Sequence, residues 1–473
     1  MRMASLLARV CVIMHPMGYP LSEAMTPKKL LRAATPSVLM MISISIYSVV
    51  DGFFVSNFAG KTPFAALNLI YPVIMLLGSL GFMMGAGGSA LVAERFGEKR
   101  HEEANNFFGN CVIFTIALGA VVSAIAYIFL PNIARLLGAD DAMMPDCVSY
   151  GRILILGLTA FNLQNLFQNF LVTAEKPNFG FLVTILAGVT NIILDAILIA
   201  GFKMGVKGAA IGTVAGQMVG GFIPLFYFLR RNDSLLRLRR GKFHVRAIGK
   251  MVVNGASEFV NNISASVVSM ALNYFLMAYF GEDGVGAYGI ICYVWLIFAA
   301  FFIGYNVAVA PRISYALGAG NKKELRNLFR YSMIILSAAG LVQFAFAEAL
   351  AIPLSHAFAG YDPDLLALTT HAFFIYSMIY LFLGINMFGS AFFTALNNGV
   401  VSMVLSFVRL GIFELSSVCL LHLAFGGEAL FYAVPFANFI GLGMNLIVFA
   451  CFSRRYGYSK KAQEASALEE KAP

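Results

Sequence analysis

The residues able to do chemistry in this sequence are few, and they sit where charge is costly. Asp51, Asp195, Glu258, Arg409 and Glu414 each fall inside a run of otherwise apolar residues long enough to cross a bilayer. An ionisable group at that depth costs about 2.5–3.5 kcal/mol on insertion scales, which makes each a functional candidate. In TNIILDAIL, Asn191 precedes Asp195 by four residues, so an amide oxygen and a carboxylate share one helix face. Thr213 lies on the next apolar run, where Gly208, Gly212, Gly216 and Gly220 recur every fourth residue. Such a stripe lets a neighbouring helix approach closely. It serves packing alone, or it brings the Thr213 hydroxyl to the acidic pair; the sequence leaves both open. In the second case Asp51, Asn191, Asp195 and Thr213 form an all-oxygen pocket suited to a proton or a hard monovalent cation. A purely structural, paired carboxylate is the alternative for Asp51. No organic cofactor is expected, and no metal beyond such a monovalent cation.

Glu258, in GASEFVNN, has no cationic partner nearby in sequence and reads as a substrate-binding or protonatable group, with a hydrogen-bonded structural carboxyl as the alternative. The fourth apolar run carries FNLQNLFQNF, in which Asn162, Asn165 and Asn169 form one stripe and Gln164 and Gln168 an adjacent one. That much amide cannot face lipid, so it either glues helices or lines a wet cavity contacting substrate or protons. Arg409 and Glu414 are five apart, about 140° round an α-helix, which favours pairing with another helix over pairing with each other. Pro36 removes a backbone bond fifteen residues before Asp51 and is a candidate hinge. No catalytic residue is expected: the six His are scattered, and no HExxH, GxSxG or Walker A pattern occurs.

The elements that must hold these groups follow from composition. With 473 residues, 59% hydrophobic and 12% charged, at a mean hydropathy of +0.79, the chain lacks the charge to solvate a soluble surface. It reads as an all-α polytopic membrane protein. Spans are predicted over Ala33 to Phe58, Ala66 to Val92, Phe108 to Leu130, Tyr150 to Val172, Gly180 to Phe202, Gly208 to Leu229, Met251 to Phe280, Val285 to Pro311, Leu328 to Ile352, Leu368 to Ala395, Val400 to Leu423 and Ala429 to Phe452, twelve in all. The net charge of +9 is topological. With both termini cytoplasmic, only Lys61, Arg135, Arg152, Lys203 and Lys207 lie outside, and Arg409 lies within a span. The basic block RRNDSLLRLRRGKFHVRAIGK is then a cytoplasmic linker and not a nucleic-acid patch. The first segment reads as a cytoplasmic leader with no cleavage site.

A shift of 221 positions matches Phe54 with Phe275, Gly60 with Gly281, Ala66 with Ala287, Gly97 with Gly318 and Phe108 with Phe329. The chain therefore divides into a leader (1–32), a first lobe of six spans (33–229), the basic linker (230–250), a second lobe of six spans (251–452) and a cytoplasmic tail (453–473). Lobes with an even number of spans share orientation, are related by a pseudo-twofold axis along the membrane normal, and enclose a cleft.

Four segments together carry a resemblance: ATPSVLMMISISIYSVVDGFFVSNFAG, the Gly-Ser-rich end of the second span with ERFGEKRHEEA, TNIILDAILI, and GVKGAAIGTVAGQ. Their order and spacing resemble the MATE (multidrug and toxic compound extrusion) transporters, nearest the bacterial DinF-like and MepA-like branch, over Met25 to Phe452. The resemblance implies a V-shaped pair of six-helix lobes in the plasma membrane. It also implies export of drug-like organic, often cationic, compounds in exchange for Na+ or H+, by a monomer that is not an enzyme. It places Asp51, Asn191, Asp195 and Thr213 at the family's first-lobe cation site and Glu258 at its acidic position on the seventh span. The Asp that NorM-like members carry on the tenth span has no counterpart in MFGSAFFTALNNG, which favours coupling through the first lobe. A flippase for lipid-linked sugars is the alternative; more cationic residues would then be expected in the cleft than Arg409.

Overall fold

The computed structural model describes residues 19–58, 61–141, 143–238 and 241–458. The helices are α1 (Pro27–Phe58), α2 (Lys61–Gly97), α3 (His101–Leu136), α4 (Met144–Thr173), α5 (Pro177–Asp195) continuing into a π-helical turn (Ala196–Gly201), and α6 (Val206–Leu229). There follow α7 (Val245–Gly318), α8 (Lys322–Ala359), α9 (Pro363–Ser377), α10 (Tyr380–Ala395), α11 (Gly399–Ser406) with a second π segment (Phe407–Glu414), α12 (Leu415–Phe425) and α13 (Ala429–Tyr456). Polar side chains start several of these helices where the sequence leaves them. Asn321 accepts from Glu324 N, Asp362 from Asp364 N and Leu365 N, and Asn398 from Val401 N.

Nine of the described helices are long and apolar enough to cross a bilayer, and the bent pair α9 and α10 makes a tenth. α7 supplies two crossings. Unbroken, its 74 residues would run roughly 110 Å, several times the hydrocarbon thickness. Gly281, at φ 62° and ψ −146°, turns it back between the seventh and eighth predicted spans. α4 is not among the apolar ten because of its amide stripe, yet it packs against α2 and α6 like its neighbours. The tenth predicted span is two helices bent by 51°.

Three boundaries differ from the expectation. α1 starts at Pro27, inside the segment read as leader; α7 starts at Val245, inside the basic linker; and α13 runs to Tyr456, into the tail. A helix continues past its apolar run because its backbone groups stay bonded while its charged side chains reach the interface. Residues 1–18 of the leader, Arg239 and Arg240 of the linker, residues 459–473 of the tail and the repeat position Gly60 lie outside the described residues.

The backbone repeats at the shift seen in the sequence. Lys99 and Gly320, 221 apart, both have positive φ (62° and 65°), as do Gly205 and Gly426 (58° and 82°). The halves meet mainly where α2 and α1 cross α7. A Cβ on Gly97 would overlap the carbonyl oxygen of Tyr315, and one on Gly318 would overlap that of Glu94. Glu94 and Tyr315 are themselves 221 apart, so the two positions exchange roles as twofold-related sites do. A second close crossing sets Gly304 of α7 against Ser37 and Val38 of α1, with a Cβ there 2.5 Å from Val38 Cα.

At the end of the molecule bearing these crossings, residues 19–25 strap the halves together. Arg312 donates to the carbonyls of Tyr19 (2.7 Å) and Pro20 (3.0 Å), while Glu175 Oε1 accepts from Leu21 N (2.5 Å) and Glu324 Oε1 from Met25 N (2.8 Å).

Candidate functional site

α5 delivers Asn191 and Asp195 one turn apart at its end, both buried. The continuation into a π-helical turn shifts the register of the residues beyond Asp195 without interrupting the helix. α6 lies against this face through its glycine stripe: a Cβ on Gly212 would overlap Asp195 Oδ1, and one on Gly216 would stand 3.2 Å from Asn191 Cβ. The stripe therefore does pack, and at Gly212 and Gly216 its packing partner is the acidic face.

Asp51 comes in from α1, with its carboxyl facing Asp195 and Asn191. Asp51 Oδ1, Asn191 Oδ1 and both oxygens of Asp195 are buried without a hydrogen-bond partner. Four orphaned acceptors converging between three helices are a costly arrangement in an apolar medium unless a positive charge or a proton stands among them. The donor set is all oxygen and fits Na+ or H+. Thr213 flanks the site, half-buried and one residue past Gly212, about 100° round α6 from the contact. The structure thus brings three of the four expected residues together and sets the fourth beside them.

Tyrosines ring this site. Tyr47, one turn before Asp51 on α1, lies over Gly188 of α5 and reaches the Gln164 side chain. Tyr150 of α4 is buried within electrostatic reach of both aspartates. Tyr293, from the second arm of α7, places its hydroxyl 3.6 Å from where a Gly52 Cβ would be. Next to it Ser45 Oγ donates to Leu296 O at 3.0 Å, tying α1 to the opposite half. Sequence reasoning missed these groups. Tyr47 was legible from its four-residue spacing to Asp51; Tyr293 carries no such signal.

The amide stripe of α4 is mostly glue. Asn162 Oδ1 accepts from Gly81 N of α2 (2.9 Å), Asn169 Nδ2 lies against Gly85, and Gln164 lies against Gly220 of α6. Asn165 and Gln168 are buried with them. Asn162 Nδ2, Gln164 Oε1 and Asn165 Nδ2 remain unpartnered. Pro36 sits within an α1 that runs through it as one helix. In the second half Glu258 is half-buried on the first arm of α7, apart from the aspartate site.

One expectation is corrected. Arg409 and Glu414 do pair with each other, Nη1 to Oε1 at 3.7 Å. Residues 407–414 form a π segment, whose i to i+5 repeat stacks residues five apart that an α-helix would splay.

A multi-pass helical membrane protein with a buried all-oxygen site in one half is the class these observations define. The MatE family model matches residues 36–197 and 259–418, and the chain belongs to that family. Among curated relatives, the multidrug export protein MepA of Staphylococcus saprophyticus is 24% identical over 409 residues, covering 83% of this chain and 89% of the relative. MepA of Staphylococcus haemolyticus is 23% identical over 347 residues, covering 72% and 75%. A structure described as the outward-facing conformation of a multidrug resistance MATE family transporter superposes with a TM-score of 0.87 at 21% identity, covering 93% of this chain and 98% of that one. The fold is the twelve-helix MATE fold.

Proposed function

We propose that this chain is a secondary active multidrug exporter that moves organic, often cationic, compounds outward in exchange for inward flow of Na+ or H+. The observation that carries this reading is the convergence of Asp51, Asn191 and Asp195 with four unpartnered oxygens. A bound cation or proton offsets the repulsion between the two carboxylates and draws α1 toward α5. Because Ser45 of α1 bonds the Leu296 carbonyl and Gly52 leaves room beside it for the Tyr293 hydroxyl, a shift of α1 is passed to the other half. Occupancy of the ion site then biases the angle between the lobes, taken as residues 33–229 and 251–452, and with it the exposure of the cleft. Exchange follows when ion and drug prefer opposed arrangements. Pro36 is the point at which α1 bends, and Glu258 meets the drug, while the amide face of α4 holds α2 and α6 in place.

The distribution of Lys and Arg supports cytoplasmic termini, which makes the strapped end the cytoplasmic one. The names of the MepA relatives support drug export as the activity.

The test is ethidium transport in vesicles under an imposed sodium or proton gradient. Transport is expected to follow one of the two gradients and to fall at least about tenfold in Asp51→Asn and Asp195→Asn, which lose a charge from the ion site. Normal transport in both variants would sink the proposal. Transport of no cation under either gradient would shift the reading to a lipid flippase.

A further inference from the structure

The first half ends in a pocket that the ion site does not use. Where α6 stops, Phe226, Tyr227, Arg230, Arg231, Asn232 and Asp233 line an open-sided cavity of about 640 Å³. The loop that shapes it is held from several sides. Asn232 Nδ2 donates to the carbonyls of Tyr227 and Arg230, both at 3.2 Å, and its Oδ1 accepts from Ser234 N and Oγ at 3.0 and 2.8 Å. Leu238 N donates to Phe228 O at 3.0 Å, and Leu236 is fully buried in the core. The charges of the pocket do not balance. Its carboxylate is already taken, since Asp233 accepts from Lys176 Nζ at 2.6 Å and from the Tyr227 hydroxyl at 2.9 Å. Arg237, further along the loop, is engaged too, donating to Asn232 O at 3.0 Å. Arg230 and Arg231 are exposed and have no side-chain hydrogen bond or ion pair among the described residues. With Lys176 cancelling Asp233, two positive charges remain on the wall of the cavity.

Apolar surface meets these charges at the same place. Phe226 and Leu229 are 59% and 57% exposed on the last turn of a helix long and apolar enough to cross a bilayer. The two arginines therefore stand where hydrocarbon gives way to water. We propose that this pocket binds the headgroup phosphate of an anionic phospholipid, with Arg230 and Arg231 on the phosphate oxygens and Phe226 and Leu229 against the acyl chains. A guanidinium offers phosphate paired N–H donors and is weakly hydrated, so it gives up water readily on binding. Close to a bilayer, each basic residue strengthens attachment to anionic lipid by about fivefold. A rule that only sorts basic loops to one side of the membrane asks for charge, but not for a recess, a satisfied carboxylate beside two unpaired arginines, or exposed apolar groups next to them. The lining residues all belong to α6 and the loop after it, so the bound lipid moves with the first half.

The experiment is a lipid titration of the purified full-length protein in detergent, with retained lipid read by native mass spectrometry. The probes are dioleoylphosphatidylglycerol, which is anionic, and dioleoylphosphatidylcholine, which carries the same chains and no net charge. Wild type is expected to retain the anionic lipid in preference to the other, and Arg230→Gln/Arg231→Gln to weaken that retention about 25-fold. The single variants Arg230→Gln and Arg231→Gln, at about fivefold each, carry the test if the double variant does not fold. Lys242→Gln/Arg246→Gln removes the same charge from exposed positions later in the linker and is expected to leave retention unchanged. Equal losses in the two double variants would mean a diffuse attraction and overturn the pocket, as would unchanged retention without Arg230 and Arg231 or a wild type that retains both lipids alike. Inorganic phosphate is expected not to compete, because it lacks the chains that Phe226 and Leu229 meet. Phosphate that displaces the lipid at equal concentration would make this a site for a free anion and overturn the lipid assignment.

Discussion

Gly304→Ala tests whether the contact between α1 and α7 acts as a gate. The added Cβ would lie 2.5 Å from Val38 Cα, 2.7 Å from Ser37 O and 2.8 Å from Val38 N. All three are backbone atoms, so no side chain can swing away. Ordinary contact begins at 3.4 Å, so the helices must part by about 0.9 Å, an overpacking that costs roughly 1–3 kcal/mol. If the halves separate here during transport, only the arrangement seen in this structure bears that cost. A cost of that size shifts the equilibrium between the two arrangements roughly 5–150-fold toward the one open at the strapped end. The assay is emission from Trp295, the chain's one tryptophan, which lies nine residues before Gly304 on the same arm and beside the Ser45–Leu296 bond. Its spectrum is expected to move to that of the opposite arrangement without ligand, with ethidium transport slowed. Gly289→Ala, on the same arm with nothing within 4 Å, is the control and is expected to change neither. A lower melting temperature with unchanged emission would refute the gate and make the crossing static packing.

Other outcomes are equally specific. Arg312→Ala removes both bonds to the Tyr19 and Pro20 carbonyls and is expected to raise protease sensitivity before Pro27 while shifting Trp295 emission in the same direction as Gly304→Ala. Asn162→Ala deletes the side-chain bond from Gly81 N that ties α4 to α2 and is expected to cost about 0.5–1.5 kcal/mol by thermal unfolding in detergent, since Gly81 N keeps its place in the helical ladder of α2. On the exposed surface, Lys176 and then Tyr227 hold the Asp233 carboxyl below its usual range. Such a depressed group adds stability above the unfolded carboxylate pKa and loses it as pH falls through the folded one. Because Asp233 is exposed, Asp233→Asn is expected to change stability by less than about 0.5 kcal/mol at neutral pH, read as melting temperature against pH and salt.

Much of the site was legible because charge is rare here. Asp51, Asn191 and Asp195 stand out of apolar runs, and the four-residue spacing of the last two fixes their shared face. The 221-residue shift survives in the backbone at Lys99 with Gly320 and Gly205 with Gly426. The sequence hid changes of register and partners brought from afar. A π segment has no compositional mark, so Arg409 and Glu414 looked splayed. The strap is recognised through backbone carbonyls and amides of residues 19–25, which any side chains would offer. Tyr293 and Leu296 reach the first half only because α7 turns back at Gly281.

The twofold exchange between Gly97 and Gly318 has a consequence for how a duplicated chain can specialise. A homodimer of either half would carry every site twice, so a buried pair of carboxylates in one subunit would recur in the other. In the single chain, the positions 221 residues beyond Asp51 and Asp195 are Leu272 and Ser416, and the position 221 before Arg409 is Gly188. Covalent joining has let one scaffold symmetry persist at the crossing of the halves while the two interiors took up different charges, so the two halves need not carry identical chemistry.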